Sequence, residues 1–214
     1  QSARQGAGHR DCVRFIGRIF YGRAPRIHRA ARRAVAPRTI HEHHSVCTVT
    51  VHRSADRLLV TMNRDEARGR APEVPPAIHH NDVDWLAPSD SARGGTWIGV
   101  NNRGVVACLL NGYVEGDNFL REKNTDSKSR GAIIPWLMTL GGAHDIRDAA
   151  ITNFDPHRFM TFSLIVVQHD SLDAYLWRGG GDLLHESHQG EWTFFSSSSW
   201  KTDEVIAWRR RAFD

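Results

Sequence analysis

Hydrophobic and polar positions first alternate just after residue 46. Val49 and Val51 fall between Thr48, Thr50 and His52, the two-residue period of a strand with one buried face. Arg53-Ser54-Ala55-Asp56 reads as a turn and residues 57–63 are rich in β-formers again, so the spacing predicts an opening hairpin. Residues 67–92 carry several prolines, paired histidines and scattered aspartates, which predicts an irregular surface stretch. A second hairpin follows. Thr96-Trp97-Ile98-Gly99-Val100 and residues 105–110 flank Asn101-Asn102-Arg103-Gly104, a turn rich in residues that tolerate positive φ. Both of its strands are almost continuously apolar, which calls for cover on both faces.

The period then changes. Ile133, Trp136, Leu137 and Leu140 stand at i, i+3, i+4 and i+7, with Ser129 as the candidate cap and Pro135 as the residue that argues against a helix. A second short helix is predicted over residues 144–152. Strands return at 161–168, 173–177, 182–185 and 192–195, and residues 202–213 read as a closing helix that begins at Thr202. Two groups of strands enclosing two helices, with a further helix at the end, fit a layered α+β fold better than alternating βαβ units.

Composition changes this picture in one place. The 214 residues are 40% hydrophobic, enough for one well-filled domain with an extension. The net charge of +4 divides unevenly. Residues 1–46 hold ten Arg and no Lys against Asp11 and Glu42, a net of +8. Eighteen basic and twenty-two acidic residues remain for 47–214, a net of −4. The basic character therefore belongs to a leader, and no nucleic-acid partner is expected for the domain. Val13, Ile16 and Phe20, set against Arg10, Arg14 and Arg18, allow one amphipathic helix over residues 10–20. The leader reads as a removable pro-segment or as sequence upstream of a misplaced start at Val46. A mitochondrial-type targeting segment and a basic nucleic-acid arm are the alternatives. His41-Glu42-His43-His44 matches no zinc spacing, and no metal is expected there. No run approaches the roughly 18 apolar residues of a membrane span. Cys12, Cys47 and Cys108 are odd in number and lack C-x-x-C spacing, which favours a reducing, cytoplasmic setting, or organellar import if the leader targets.

The candidate chemistry begins at Cys47. A thiol at the start of one strand and Asn63-Arg64-Asp65-Glu66 at the end of the next meet if the strands pair, and a nearby guanidinium favours the thiolate. Were Cys47 the mature first residue, its α-amine, titrating near about pH 8, could serve as general base. Arg64, Asp65 and Glu66 also read as an ordinary charged surface turn, and Cys108 as an inert small hydrophobe. Asn111 ends a buried strand, where its amide or backbone N–H could face a developing oxyanion. A strand-end Asn in a turn is the plainer alternative.

Cys-Thr-Val (47–49), Asn-Arg-Asp-Glu (63–66), Trp-Leu-Ala-Pro (85–88), Gly-Gly-Thr-Trp-Ile-Gly-Val (94–100) and Leu-Leu-Asn (109–111) together resemble the NRDE family, also called the Transport and Golgi Organisation family. Ser129-Arg130-Gly131 and the Ser-rich run before Trp200 fall where that family has counterparts. The resemblance covers roughly residues 47–213 and none of the leader.

It implies a four-layer αββα sandwich of the N-terminal-nucleophile-hydrolase type, similar to the branch that cleaves non-peptide amides with a cysteine. By that analogy Cys47 is the nucleophile and its amine the base. Arg64, with Asp65 or Glu66, orients the amine and stabilises the thiolate, and Asn111 joins the oxyanion hole. The implied function is a cysteine amidohydrolase acting on a small or lipid-like amide, with no cofactor. The alternative is a non-catalytic member that binds or traffics haem or lipid. Two departures stand out. Ser197 stands where much of the family has an oxyanion-donating Asn, and the family continues past the last helix, so the sandwich is expected to be C-terminally incomplete at Asp214.

Overall fold

The computed structural model describes residues 46–65, 69–113, 127–198 and 202–214, within a compact unit that spans His44–Asp214. The leader helix, the His41–His44 run and Glu66 lie outside the described residues.

Among the described residues ten strands form two antiparallel sheets. The smaller has β1 (Val46–Arg53) at its centre, between β2 (Leu58–Arg64) and β10 (Trp192–Ser198). The larger is a seven-stranded meander in chain order. It comprises β3 (Val74–His79), β4 (Trp85–Ser89), β5 (Ile98–Asn101), β6 (Val106–Asn111), β7 (Phe162–Gln168), β8 (Ser171–Trp177) and β9 (Leu184–Ser187). Helices α1 (Ile133–Met138) and α2 (Ala143–Thr152) lie between β6 and β7, and α3 (Thr202–Phe213) ends the chain. The fold is α+β, and both hairpins and all three helices stand where the sequence pattern puts them.

Alternation sorts the side chains into two cores. On β1, Cys47, Val49 and Val51 are buried on one face. There they meet Ile98 and Val100 of β5, Val106, Cys108 and Leu110 of β6, and Ile165 and Val167 of β7. The intervening residues Ala107 and Leu109 of β6, with Phe162, Leu164 and Val166 of β7, point to the other face of the large sheet. That face is covered by Ile133, Ile134, Leu137 and Met138 of α1 and by Ala143, Ile146 and Ala150 of α2. The continuous apolar reading of β5 and β6 is explained, since each is covered on both sides. Helix α3 packs on the outer face of the small sheet. There the Arg210 guanidinium lies 4.9 Å from the Phe194 ring centre, and the Phe213 ring lies tilted against Phe194 at 5.2 Å.

Residues 67–92 correct the sequence reading: they contain β3 and β4 rather than an irregular stretch. The prolines are accommodated by position. Pro75 and Pro76 sit on an edge strand, where the register with β4 shifts between Val74 and Ala77. Trp85 and Ala87 are buried under the helices and pull the segment into the sheet. The apolar face of α1 also differs from the simple i, i+3, i+4 reading. Ile134 and Met138 are buried while Trp136 is 36% exposed. Gly99 allows this close approach, because a Cβ there would stand 2.9 Å from Ile134 Cγ2. Ser129 makes no side-chain cap bond. It precedes a 3-10 turn, Arg130–Ala132, that leads into α1. Pro135 falls in the first turn of α1, where backbone N–H groups have no helical partner to lose.

Two buried polar residues hold the layers in register. The Asn101 amide donates to the carbonyls of Met138 (3.3 Å) and Gly141 (2.7 Å), and its oxygen accepts from Val105 N (3.0 Å). This ties the β5–β6 turn to the end of α1. Asp173 on β8 is 1% exposed and accepts from Arg147 of α2 (2.6 Å) and from His185 (2.9 Å) and Ser187 (2.7 Å) of β9. Burial alone would raise its pKa. The bonds from Ser187, Arg147 and His185 outweigh that and hold the carboxyl below the usual range. Beside it, burial first and then the Asp173 charge push the Tyr175 hydroxyl up to about 12.

A depressed folded pKa means that the stabilisation is fully present above the ordinary aspartate value and is lost as pH falls through the folded one. Asp173→Asn is expected to lower unfolding stability by about 2–4 kcal/mol, because it leaves Arg147 without its anion. Urea titrations at pH 7 and at pH 3 check this, with the difference between variant and parent shrinking at the lower pH.

Candidate functional site

The site is built by strand register. In an antiparallel pair, residues directly opposite share a face with Cβ atoms about 5 Å apart. Cys47 is opposite Arg64 on β2 and opposite Ser197 on β10, so these three side chains form a row on the face turned toward the large sheet. Cys47 is 7% exposed and Ser197 6%. The sequence reading ended the last strand at 195. Its continuation to Ser198 is what brings Ser197 beside the thiol.

Arg64 is held in place from two directions. Its guanidinium carbon stands 4.1 Å from the Trp97 ring centre, and its Nη2 is 3.7 Å from Asp90 Oδ2. Asp90 also takes Arg70 and the backbone N–H groups of Ala92 (2.9 Å) and Arg93 (3.2 Å). Burial works against the Asp90 carboxylate, but the Ala92 N–H and Arg70 prevail and lower its pKa.

Asp65 follows Arg64 along the strand and turns to the opposite face. Its carboxylate accepts from Arg209 of α3 at 2.9 Å and from the Asn63 amide at 2.8 Å, and Arg209 also donates to Thr48. Arg64 and Asp65 therefore serve different layers. Glu66 is outside the described residues. Asn111 ends β6 opposite Phe162, and its Nδ2 donates to the Tyr113 hydroxyl at 3.0 Å. It lines a cleft of about 350 Å³ whose walls include Leu110, Tyr113, Ser163, Phe195 and Ser197. The structure thus joins Cys47, Arg64 and Ser197 by register and connects Ser197 to Asn111 through the cleft. Among the described residues the buried Ser197 hydroxyl has no hydrogen-bond partner.

One residue with no role in the sequence reading adjoins this group. Arg130, partly buried at the start of the 3-10 turn, donates from Nη1 to the Thr161 carbonyl at 2.7 Å. The same carbonyl accepts from Gly112 N at 3.0 Å, so the guanidinium sits at the Asn111–Tyr113 end of β6. Burial lowers its pKa, Arg93 lowers it further, and the hydroxyl of Tyr113 and the thiol of Cys47 act in the opposite sense. Its position depends on glycine. A Cβ at Gly95 would stand 2.7 Å from Gly131 Cα, and Thr96 N donates to the Gly131 carbonyl at 3.1 Å. The sequence signal is Ser129-Arg130-Gly131, which falls where the resembled family has a counterpart, and it carries no chemistry until the Gly95 and Gly131 backbones are seen to touch.

The second described cysteine differs. Cys108 is fully buried, and burial pushes its thiol well above the usual range. Neither cysteine is in a disulfide. Among the described residues no three His, Cys, Asp or Glu side chains gather as a metal site, and no helix is long and apolar enough to cross a membrane.

The class defined so far is an α+β domain whose central small-sheet strand presents a buried thiol between an arginine and a serine. Residues 45–210 match the family described as Transport and Golgi organisation 2, and the chain belongs to that family. A comparison with curated proteins found no match.

Gly95→Ala is expected to destabilise the protein by about 1–3 kcal/mol, since backbone rather than a side-chain tip must move. It should also slow modification of Cys47 by an anionic alkylating reagent by displacing Arg130. Thermal melting and alkylation rates on the same sample check both effects.

Proposed function

We propose that this protein is a cysteine amidohydrolase of the N-terminal-nucleophile kind, acting on a non-peptide, small or lipid-like amide. The observation that carries the reading is the register of β1: Cys47 lies opposite both Arg64 and Ser197, on the face directed into the fold. The order of layers also supports it. Helices α1 and α2, the large sheet, the small sheet and α3 follow one another as an αββα sandwich of that type requires.

In the proposed reaction the α-amine of Cys47, released from the preceding residues, takes the thiol proton. The sulfur attacks the amide carbonyl carbon, and the oxyanion is met by donors at Asn111. The amine product leaves with the proton, and a thioester remains. Water, activated by the same α-amine, then breaks the thioester to give acid and restore the thiol. Arg64, fixed against Trp97 and Asp90, supplies positive charge beside the sulfur. Asp65, engaged by Arg209, acts in this scheme by holding α3 to the end of β2 rather than by touching the amine.

A non-catalytic member that binds or traffics haem or lipid would use the same cleft. Its volume of about 350 Å³ is near the lower end of the usual range for ligand sites, roughly 300–1,000 Å³, and favours a small ligand.

Iodoacetamide is expected to modify Cys47 at least about tenfold faster than Cys108, and Arg64→Ala should remove most of that advantage. Protein from its native host should begin at Cys47 by N-terminal sequencing. Equal labelling of the two cysteines, with haem or lipid co-purifying, would favour the binding reading. Full activity in material that begins upstream of Cys47 would exclude the amine as base.

A further inference from the structure

We infer that Arg130 and Ser197 form an anion-accepting end of the Cys47 site, so that the substrate is a small amide carrying a carboxylate close to its reacting carbonyl. This rests on the amidohydrolase reading and names the substrate class for the same site.

Two independent observations converge on it. The first is a cation without a matching anion. Arg130 is partly buried, retains its proton at any ordinary pH, and donates to a neutral carbonyl, that of Thr161. Among the described residues no carboxylate lies within ion-pairing distance of it, and its charged neighbour Arg93 adds to the positive potential. Asp90, the nearby acid, is already occupied by Arg70 and Arg64. The second is a donor without an acceptor. The Ser197 hydroxyl is in a residue 94% buried, lines the cleft and has no hydrogen-bond partner among the described residues. Buried polar groups are nearly always satisfied, and an exception beside a cleft calls for a ligand atom.

Ser197 adjoins Cys47 by register, and Arg130 reaches the same end of the site through the Thr161 carbonyl, which also accepts from the N–H of Gly112, a residue that lines the cleft with Ser197. A guanidinium and a hydroxyl both donate to carboxylate oxygens, and hydrogen bonds to an ionised acceptor are the stronger kind. The volume available limits the rest of the molecule to a small one. Arg64 serves the sulfur, and Arg130 serves the substrate.

The test uses two reagents of nearly equal size and opposite suitability. Iodoacetamide is neutral and iodoacetate carries a carboxylate, and each alkylates a thiolate with loss of iodide. The full chain is treated with each, and modification of the Cys47 peptide is followed by mass spectrometry. The iodoacetate-to-iodoacetamide rate ratio at Cys47 is expected to exceed that of glutathione by about tenfold, the effect of roughly one good charge-assisted contact. Arg130→Gln should remove this preference, Arg130→Lys should retain part of it, and Ser197→Ala should reduce it about threefold without lowering the melting temperature. Acetate should protect parent Cys47 against iodoacetamide where equal acetamide does not, which keeps the test open if Arg130→Gln fails to fold. A ratio equal to that of glutathione with no protection by acetate overturns the inference. Failure of the amidohydrolase reading looks different: the charge preference persists while no thioester or hydrolysis product forms from any carboxylate-bearing amide.

Discussion

The antiparallel pairing of β1 with both β2 and β10 is the constraint on which the site depends. Side chains alternate strictly along a strand, so this register decides at once which residues enter the space between the sheets and which face α3. Val49 and Val51 are fully buried in that space, and Cys47 follows them by the same period. A slip of one residue would turn Cys47 outward and bury Thr48 and Thr50 against Cys108 and Ile165. The hydrophobic effect acting on two valines therefore positions a thiol, and no contact made by the sulfur itself is needed to explain where it is.

Around that row the protein separates two electrostatic tasks that the contiguous tetrapeptide conceals. Arg64 goes inward, to Trp97 and Asp90, while Asp65 goes outward, to Arg209. The inward arginine is rigidified by a ring on one side and by a carboxylate that is itself bonded to backbone N–H groups. The outward aspartate secures the last helix. Arg130 reaches the end of β6 from a third element, and its position there requires the Gly95–Gly131 contact, where neither backbone tolerates a Cβ. The site thus draws on β1, β2, β10, the end of β6 and the turn before α1, and five separate segments must fold before it exists.

Much of the fold was readable from period alone. The β1–β2 and β5–β6 hairpins, the positions of α1 and α2 and the limits of α3 follow from apolar spacing and turn residues, because these elements bury one face or two in the manner their patterns dictate. The stretch from 67 to 92 is not legible as sheet, because its prolines, histidines and aspartates are the residues of surface loops and proline lacks the N–H a ladder bond needs. A bulge on an edge strand removes the need for the very N–H groups that Pro75 and Pro76 lack. The end of β10 was missed for a related reason. A run of serines has no apolar period, and only pairing with β1 makes Ser196, Ser197 and Ser198 a strand.

The sequence by itself determined the local elements, the α+β class and the candidate cysteine with its neighbouring arginine, since these rest on short-range periodicity and on residues adjacent along the chain. Tertiary structure alone decided that Arg64 and Asp65 part company, that Ser197 stands beside Cys47 with its hydroxyl unmet among the described residues, and that Arg130 reaches the Asn111–Tyr113 end of β6. Those facts arise from strand pairings across 17 and 150 positions of chain and from a hydrogen bond across 31. Separation along the chain carries no information about facing until strands have chosen a register and backbones have closed to contact.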